Sequence, residues 1–272
     1  MHKIFVSPSA VSDSYITVSD AGDIKHLTRV LRLRRGDEIA VSDGVRWEYL
    51  CELQDFGAAG AKTLSLRILE RQAMAREPVS CITLYQAVPK LDKMDLVVRR
   101  TTELGIKRIV PFFTERAVVE DKGGGRFEKK LERWRRIAAE AAKQCRRGMV
   151  PEVSEPMDFK ALLRELSSGA EEGSGSTYDL AVLAYENEEK TTLKDVLREA
   201  PLDARGADSA IRAGGRALRA ALIIGPEGGF SEGEADALIA LGVRAASLGK
   251  TVLRTENAGP SALAMLLYEL EL

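Results

Sequence analysis

Histidine and cysteine are scarce in this chain, and their scarcity excludes several chemistries. His2 and His26 are the only histidines among 272 residues, and the three cysteines, Cys51, Cys81 and Cys145, lie far apart with no C-x-x-C spacing. So few donors predict no structural zinc, and no metal is called for. An odd number of scattered cysteines fits reduced thiols in a reducing compartment better than a disulfide framework. Long apolar runs are missing too: none approaches a membrane span, and the opening MHKIFVSPSA lacks the apolar stretch of a secretory leader. A cytoplasmic protein with no membrane partner is expected.

Net charge is nearly absent, at −1, but the charges are segregated. Residues 25–35, KHLTRVLRLRR, carry five basic side chains and no acid. Residues 125–147, GRFEKKLERWRRIAAEAAKQCRR, carry nine basic against three acidic. The two stretches therefore sum to +11, which leaves about −12 for the rest of the chain. Such segregation suits a face that binds a polyanion on an otherwise acidic protein; solvated helix faces are the plainer alternative.

The remaining composition, 45% hydrophobic and 30% charged, is globular, and the length suits two domains. In residues 1–72 the pieces KIFV, YITV, DEIAVSDGVRWEYLCEL and TLSLRILE alternate or run apolar at strand length, which predicts a small β-barrel or sandwich. A short helix-like HLTRVLRL precedes the RRGDEI turn. The periodicity lapses near Pro78, and residues 73–272 then alternate strand with helix. CITLYQAV, IKRIVPFF, YDLAVLAYE, ALRAALIIG and VRAASLG read as strands. LDKMDLVVRRTTELG reads as a helix with Leu91, Met94, Val98 and Thr101 on one face, stopped by Gly105. In the basic segment Phe127, Leu131, Trp134, Ala138, Ala141 and Cys145 form an apolar stripe. SEGEADALIALG opens on Ser231 with Glu234 three residues later, a capping box worth about 1 kcal/mol. ENAGPSALAMLLYEL reads as the last helix, and SSGAEEGSGST and DARGADSAIRAGGR as loops. The pattern predicts an α/β fold, with an open, mostly parallel sheet covered on both faces.

Two glycine-broken loops, GPEGGF and LGKTVLRTENAGP, follow apolar runs near the C-terminus. GFSEG imitates a nucleophile elbow, but both histidines lie about two hundred residues before Ser231, so no hydrolase triad follows in chain order. GKT at 249–251 imitates a P-loop, yet Arg244 occupies the place of its first glycine. GPEGGF is not the dinucleotide fingerprint either. Glycines at the carboxyl ends of parallel strands instead let backbone approach a flat ligand, which predicts a pocket.

IIGPEGGFSEGE, SLGKTVLRTENA, PKLDKMDLVVRRTTELGIKRIVPFFTERAVV and EAAKQCRR…VPEV, taken together, resemble the RsmE family of ribosomal RNA uridine-N3 methyltransferases, within the SPOUT superfamily. HLTRVLRLRRGDEI is similar to that family's PUA-like RNA-binding barrel, so the likeness covers nearly the whole chain. It implies a PUA-like domain over 1–72 and a SPOUT domain over 73–272 tied in a trefoil knot. It also implies a homodimer, S-adenosylmethionine as methyl donor, and ribosomal RNA or the small ribosomal subunit as partner. The donor would lie among Leu183 and Glu186 of LAYE and its strand, Ile224, Gly225, Pro226, Glu227, Gly228 and Gly229, and Leu248, Gly249 and Leu253. Arg29, Arg32, Arg34, Lys90, Lys93, Arg146 and Arg147 would contact RNA phosphates. Methylation at N3 must remove an imide proton, for which Arg254 would stabilise charge and Glu256 or Glu227 accept the proton; an acid at a helix N-terminus is also stabilising with no catalytic role. The chain departs from the family at Lys250, Val252, Asn257, Gly259 and Pro260, and where QSGR is usual it has Gln144, Cys145, Arg146 and Arg147. The alternatives are another SPOUT activity, on a ribose 2′-oxygen or another RNA, or a non-catalytic RNA-binding protein of the same fold.

Overall fold

A computed structural model of the chain describes residues 2–55, 63–116, 126–168, 178–200 and 217–271. The chain forms two compact units: Met1–Glu77 with Ala142–Val150, and Pro78–Ala141 with Pro151–Leu272.

The first unit is built on a five-stranded sheet that curls into a half-barrel, in the order β1 (Lys3–Phe5), β3 (Glu38–Ser42), β4 (Trp47–Asp55), β5 (Leu64–Ala73), β2 (Tyr15–Val18). β1 runs parallel to β3, and the remaining pairs are antiparallel. Strand alternation sends Ile16 and Val18, Ile39 and Val41, and Leu64 and Leu66 into one core, where each is at most 2% exposed. The β3–β4 turn is held by Asp43, whose Oδ1 accepts from the amides of Val45, Arg46 and Trp47 at 2.8–2.9 Å. Burial raises the Asp43 carboxyl, but those amides outweigh it and hold the group below its ordinary value. The helix-like stretch after β2 is a five-residue helix α1 (Ala21–Lys25) running into a single π-helical turn at His26–Val30. Arg32, just beyond, has a left-handed backbone with φ 52°.

The second unit is the expected α/β layer structure. Its elements are β6 (Cys81–Ala87), α2 (Lys93–Leu104), β7 (Arg108–Phe112), α3 (Arg126–Gln144, of which residues up to Ala141 belong here), β8 (Glu152–Val153), α4 (Phe159–Ser167), β9 (Leu180–Ala184), α5 (Leu193–Glu199), β10 (Arg219–Ile224), α6 (Glu232–Ala240), β11 (Arg244–Ala246) and α7 (Thr255–Glu271). The six strands pair in parallel throughout, in the order β11-β9-β10-β6-β7-β8. Both faces are apolar because β6 and β10 carry nearly unbroken hydrophobic sequence, CITLYQA and RAALII. The strand order places β10 between β9 and β6, which both precede it in the chain, so the order in which strands are laid down changes side there.

Several sequence expectations change in detail. Gly105 ends α2 with φ 108°, and a Cβ there would overlap the Pro78 ring, so the glycine is needed both for conformation and for space. Leu91 does not join the α2 face: it precedes the helix with φ 57° and is 85% exposed. Val97 and Thr102 are buried alongside Met94, Val98 and Thr101 instead. The α3 stripe ends before Cys145, which is exposed. α5 and β8 are not legible in the sequence pattern, although Thr192 and Asp195 form a second capping box at the start of α5. Most of SSGAEEGSGST and all of DARGADSAIRAGGR lie outside the described residues.

Candidate active site

β9, β10 and β11 are parallel neighbours, and Ala184 is in register with both Ile224 and Ala246. Their carboxyl ends therefore finish side by side, and the three following segments enclose one cavity of about 900 Å³. This is the end of a parallel sheet where ligands bind, and the volume is that of a small-molecule site. The first wall is Ala184 to Glu186 with Glu188, Glu189 and Thr192, the second Ile224 to Gly229, and the third Ser247 to Thr255 with Ala258. Leu193 N and Tyr185 N bond to Ser247 O and Ala246 O at 2.9 and 3.0 Å, which ties the first wall to the third.

Two glycines are dictated by this geometry. Gly229 has φ 68°, and a Cβ on it would overlap Oε1 of Glu186. At Gly225 a Cβ would lie 2.9 Å from the Phe230 ring, which packs beneath the loop. Ser231 caps α6 and forms a capping box with Glu234, and Glu234 Oε1 also accepts from Glu115 N at 2.8 Å. The role of Ser231 is therefore that of a helix cap, as its sequence context indicates.

Of the expected donor contacts, Glu186, Ile224, Gly225, Pro226, Glu227, Gly228, Gly229, Leu248, Gly249 and Leu253 all line the cavity. Leu183 does not. It is fully buried in the core with Tyr85, Phe112 and Ile223, because the strand pleat turns it away from its neighbour Ala184. Arg254 lines the cavity, whereas Glu256 lies beside it, 9% exposed and outside the lining. Tyr185 and Lys250, within the LAYE and SLGKTVL segments, line it as well, as do Glu188 and Thr192, which no motif in the sequence assigns to a pocket.

Lys93 belongs to this site as well. Its Nζ donates to Glu227 Oε1 at 2.9 Å and stands 3.5 Å from Glu256 Oε2, an ion-pair distance without hydrogen-bond geometry. Glu227 also accepts from Lys90 N at 3.1 Å. Burial raises the Glu227 carboxyl, but the Lys93 hydrogen bond and the backbone amides outweigh it, so the group sits below its ordinary value. The Glu227 hydrogen bond is also the main reason the Lys93 ammonium is raised. Lys93, on the cavity wall, thus stands between the carboxyl groups of Glu227 and Glu256. A carboxylate held low in this way is a poor proton acceptor, which weighs against Glu227 as the base.

The other basic residues divide by burial. Arg29, Arg32, Arg34, Lys90 and Arg146 retain solvent access. Arg147 does not: its side chain is 5% exposed, and its Nη2 donates to Glu77 Oε2 at 2.7 Å. Glu77 Oε1 also accepts from Gly148 N and Met149 N. Arg147 therefore anchors its own segment and cannot reach a phosphate. Among the described residues no cluster of histidine, cysteine or acid is arranged for a metal ion, and no helix is long and apolar enough to cross a membrane.

The cavity fits the donor that the resemblance implies. Gly225, Gly228, Gly229 and Gly249 bare the backbone along its walls, and at Gly229 a Cβ would overlap the Glu186 carboxylate. Leu248, Leu253 and Ile224 supply apolar surface for a flat base. The Glu186 carboxylate lines the cavity without a hydrogen-bond or ion-pair partner among the described residues, which suits a positively charged nucleoside.

Known proteins agree with this geometry. Residues 75–267 match the family model for an RNA methyltransferase domain, and residues 19–64 match an RNA methyltransferase PUA domain. The ribosomal RNA small subunit methyltransferase E of Bacillus subtilis is 31% identical over 92% of this chain and 89% of its own length. That of Mycobacterium tuberculosis is 32% identical over 91% of this chain and 84% of its own. Among solved structures, the Neisseria gonorrhoeae ribosomal RNA small subunit methyltransferase E bound to S-adenosyl methionine superposes with a TM-score of 0.77 at 26% identity, covering 98% of this chain and 97% of that one. A Legionella pneumophila methyltransferase in complex with the cofactor SAM gives 0.77 at 27%, covering 98% and 96%. With a cavity that suits such a donor and a family match across most of its length, the chain belongs to the RsmE family of ribosomal RNA small subunit methyltransferases.

Proposed function

We propose that this protein transfers a methyl group from S-adenosylmethionine to N3 of a uridine in small-subunit ribosomal RNA. The observation that carries this reading is the cavity at the carboxyl ends of β9, β10 and β11, walled by the two glycine loops, in a chain of this family. When bound, the donor supplies an electrophilic methyl on a sulfonium. The protein holds acceptor and donor in line, which removes most of the entropic barrier. As the N3–C bond forms and the C–S bond breaks, the N3 proton must leave.

Arg254, which lines the cavity, is assigned the role of stabilising the imide anion. Glu256 is assigned the proton, and Lys93 beside it sets its charge environment. Lys93 thus acts at the site rather than on a distant phosphate. The Gly225–Gly229 and Leu248–Leu253 segments hold the adenosyl group. Arg29, Arg32, Arg34, Lys90 and Arg146 contact RNA phosphates, which set affinity and register while the target base enters unpaired. The half-barrel unit is the PUA-like RNA-binding part, and the methyltransferase unit carries the family's trefoil knot. A homodimer is supported by exposed apolar side chains on two helices that contact each other, Leu96 on α2 and Met265 and Tyr268 on α7. The protein works in the cytoplasm, where its RNA is.

The test incubates the purified protein with S-adenosylmethionine and small-subunit RNA or subunits, then digests the RNA to nucleosides for mass spectrometry. One new 3-methyluridine per RNA is expected. A methyl group on a ribose oxygen, or none on either substrate, would overturn the assignment.

A further inference from the structure

A fully buried glutamine near the end of an apolar strand is costly, and here it is also incompletely paired. Gln86, on β6, is 0% exposed, and its Oε1 has no hydrogen-bond donor. An apolar residue would fill this position more favourably unless the amide does something directional. Its contacts fix that direction. The Nε2 lies 3.1 Å from Ala87 O and 2.9 Å from Thr255 Oγ1. A backbone carbonyl only accepts, so the amide nitrogen must be the end that faces Ala87. The Thr255 hydroxyl then accepts from Gln86, and its single proton goes to Gly225 O at 2.6 Å.

The ends of this wire identify its purpose. Gly225 is the first residue after β10, where the first glycine loop begins. Thr255 is the first residue of α7, where the second loop ends. The Gly225 carbonyl belongs to a bond to Pro226, which has no N–H, so this oxygen is that peptide's only hydrogen-bonding atom. Tied to Thr255, it is satisfied within the protein and the loop leaves β10 in one fixed direction. Gly259 allows the arrangement: a Cβ there would lie 3.2 Å from Gln86 Oε1 and 3.5 Å from Leu84, so the bare helix position lets α7 settle against β6.

We propose that Gln86 and Thr255 are positioning residues for the methyl donor, which lock the two cofactor loops at a fixed spacing through the Gly225 carbonyl. This rests on the methyl-transfer reading above. Gly225 and Thr255 line the cavity and the buried Gln86 stands outside its lining, so loss of the wire alters donor binding more than the chemical step.

The experiment measures donor affinity by calorimetry, thermal unfolding without donor, and the split between KM and kcat. The variants are Thr255→Val, Thr255→Ser and Gln86→Met. Thr255→Val is expected to bind S-adenosylmethionine about tenfold more weakly, with KM raised by a similar factor and kcat at saturating donor within about twofold. Thr255→Ser keeps the hydroxyl and is expected to restore affinity to within about threefold of the parent. Gln86→Met keeps the volume without the amide, and is expected to follow Thr255→Val; it carries the test if Thr255→Val does not fold. Unchanged affinity in Thr255→Val or Gln86→Met, with only the unfolding temperature lowered, would overturn the proposal. So would Thr255→Ser binding as poorly as Thr255→Val, since a hydroxyl at this position would then not be enough to hold the loops. Parent protein that binds no donor would overturn the methyl-transfer reading itself, an outcome distinct from either of these.

Discussion

Gly229→Ala tests the cavity wall with a single carbon. Gly229 has φ 68°, and an alanine held in the left-handed region costs about 1–2 kcal/mol. Its Cβ would also overlap Glu186 Oε1, so that carboxylate must swing aside. The dihedral cost has two outlets. If the loop keeps its shape, folding carries the cost, and for a unit of this size the unfolding temperature falls by roughly 2–8 °C. If the loop relaxes in the free protein, donor binding must restore it, and Kd rises roughly 5- to 30-fold. The assay pairs thermal unfolding of the free protein with calorimetric titration by S-adenosylmethionine, and the two losses together should account for about 1–2 kcal/mol. Adding Glu186→Ala removes the overlap and leaves the dihedral cost. A Gly229→Ala protein indistinguishable from its parent in both measurements would refute the claim that this glycine is required by conformation.

Three further outcomes are expected. Glu77→Ala removes the carboxylate that pairs with the buried Arg147 guanidinium and should cost about 3–5 kcal/mol of stability, measured by denaturant unfolding of the full chain; a loss under about 1 kcal/mol would mean that water reaches the pair. Asp43 is held below its ordinary value of 3.8, so its stabilisation is complete above that pH and is lost as pH falls through the depressed value. The stability gap between the parent and Asp43→Asn should therefore be constant from about pH 5 to 7 and close in stronger acid; a gap that widens on acidification contradicts the sign. Burial pushes the Cys51 thiol up to about 12, while Cys81 and Cys145 are exposed. At about pH 8 a thiol reagent should label Cys81 and Cys145 in the native protein and reach Cys51 only in denaturant, and rapid native labelling of Cys51 would show the half-barrel core to be open.

The parts of the site that can be read from sequence are those where backbone does the work. Gly225 to Gly229 and Leu248 to Arg254 are legible because bare backbone directly after a buried strand suits close approach to a ligand, whatever the neighbouring side chains are. Side chains are harder to place. Leu183 and Ala184 look equally suited to a pocket, and only the phase of the pleat, set by pairing with β10 and β11, sends one to the core and the other to the cavity. Charge is ambiguous for a related reason: Arg146 and Arg147 are adjacent and alike in sequence, but Glu77, 70 residues earlier, buries one of them. Lys93 reads as a phosphate contact until its partner Glu227, 134 residues away, is seen beside it. Gln86 gives no sign at all, because a lone polar residue in an apolar strand reveals nothing about the hydroxyl it will meet. The departures at Gly259 and Pro260 are partly accounted for: Gly259 allows the approach of α7 to Gln86, and Pro260 is accommodated within the helix, near its start.

β10 is flanked by β9 and β6, both made earlier in the chain. During synthesis, residues 81–87 and 180–184 therefore emerge long before the strand that will join them. Until residues 219–224 arrive, each has an unsatisfied edge, and such edges recruit other chains. Arrival of β10 closes both of these edges, and the cavity is completed only when β11 and the Ser247–Ala258 wall follow. A chain truncated before residue 219 should accordingly be inactive and also insoluble, and rescue of nascent chains by a chaperone should matter most over the stretch between those strands.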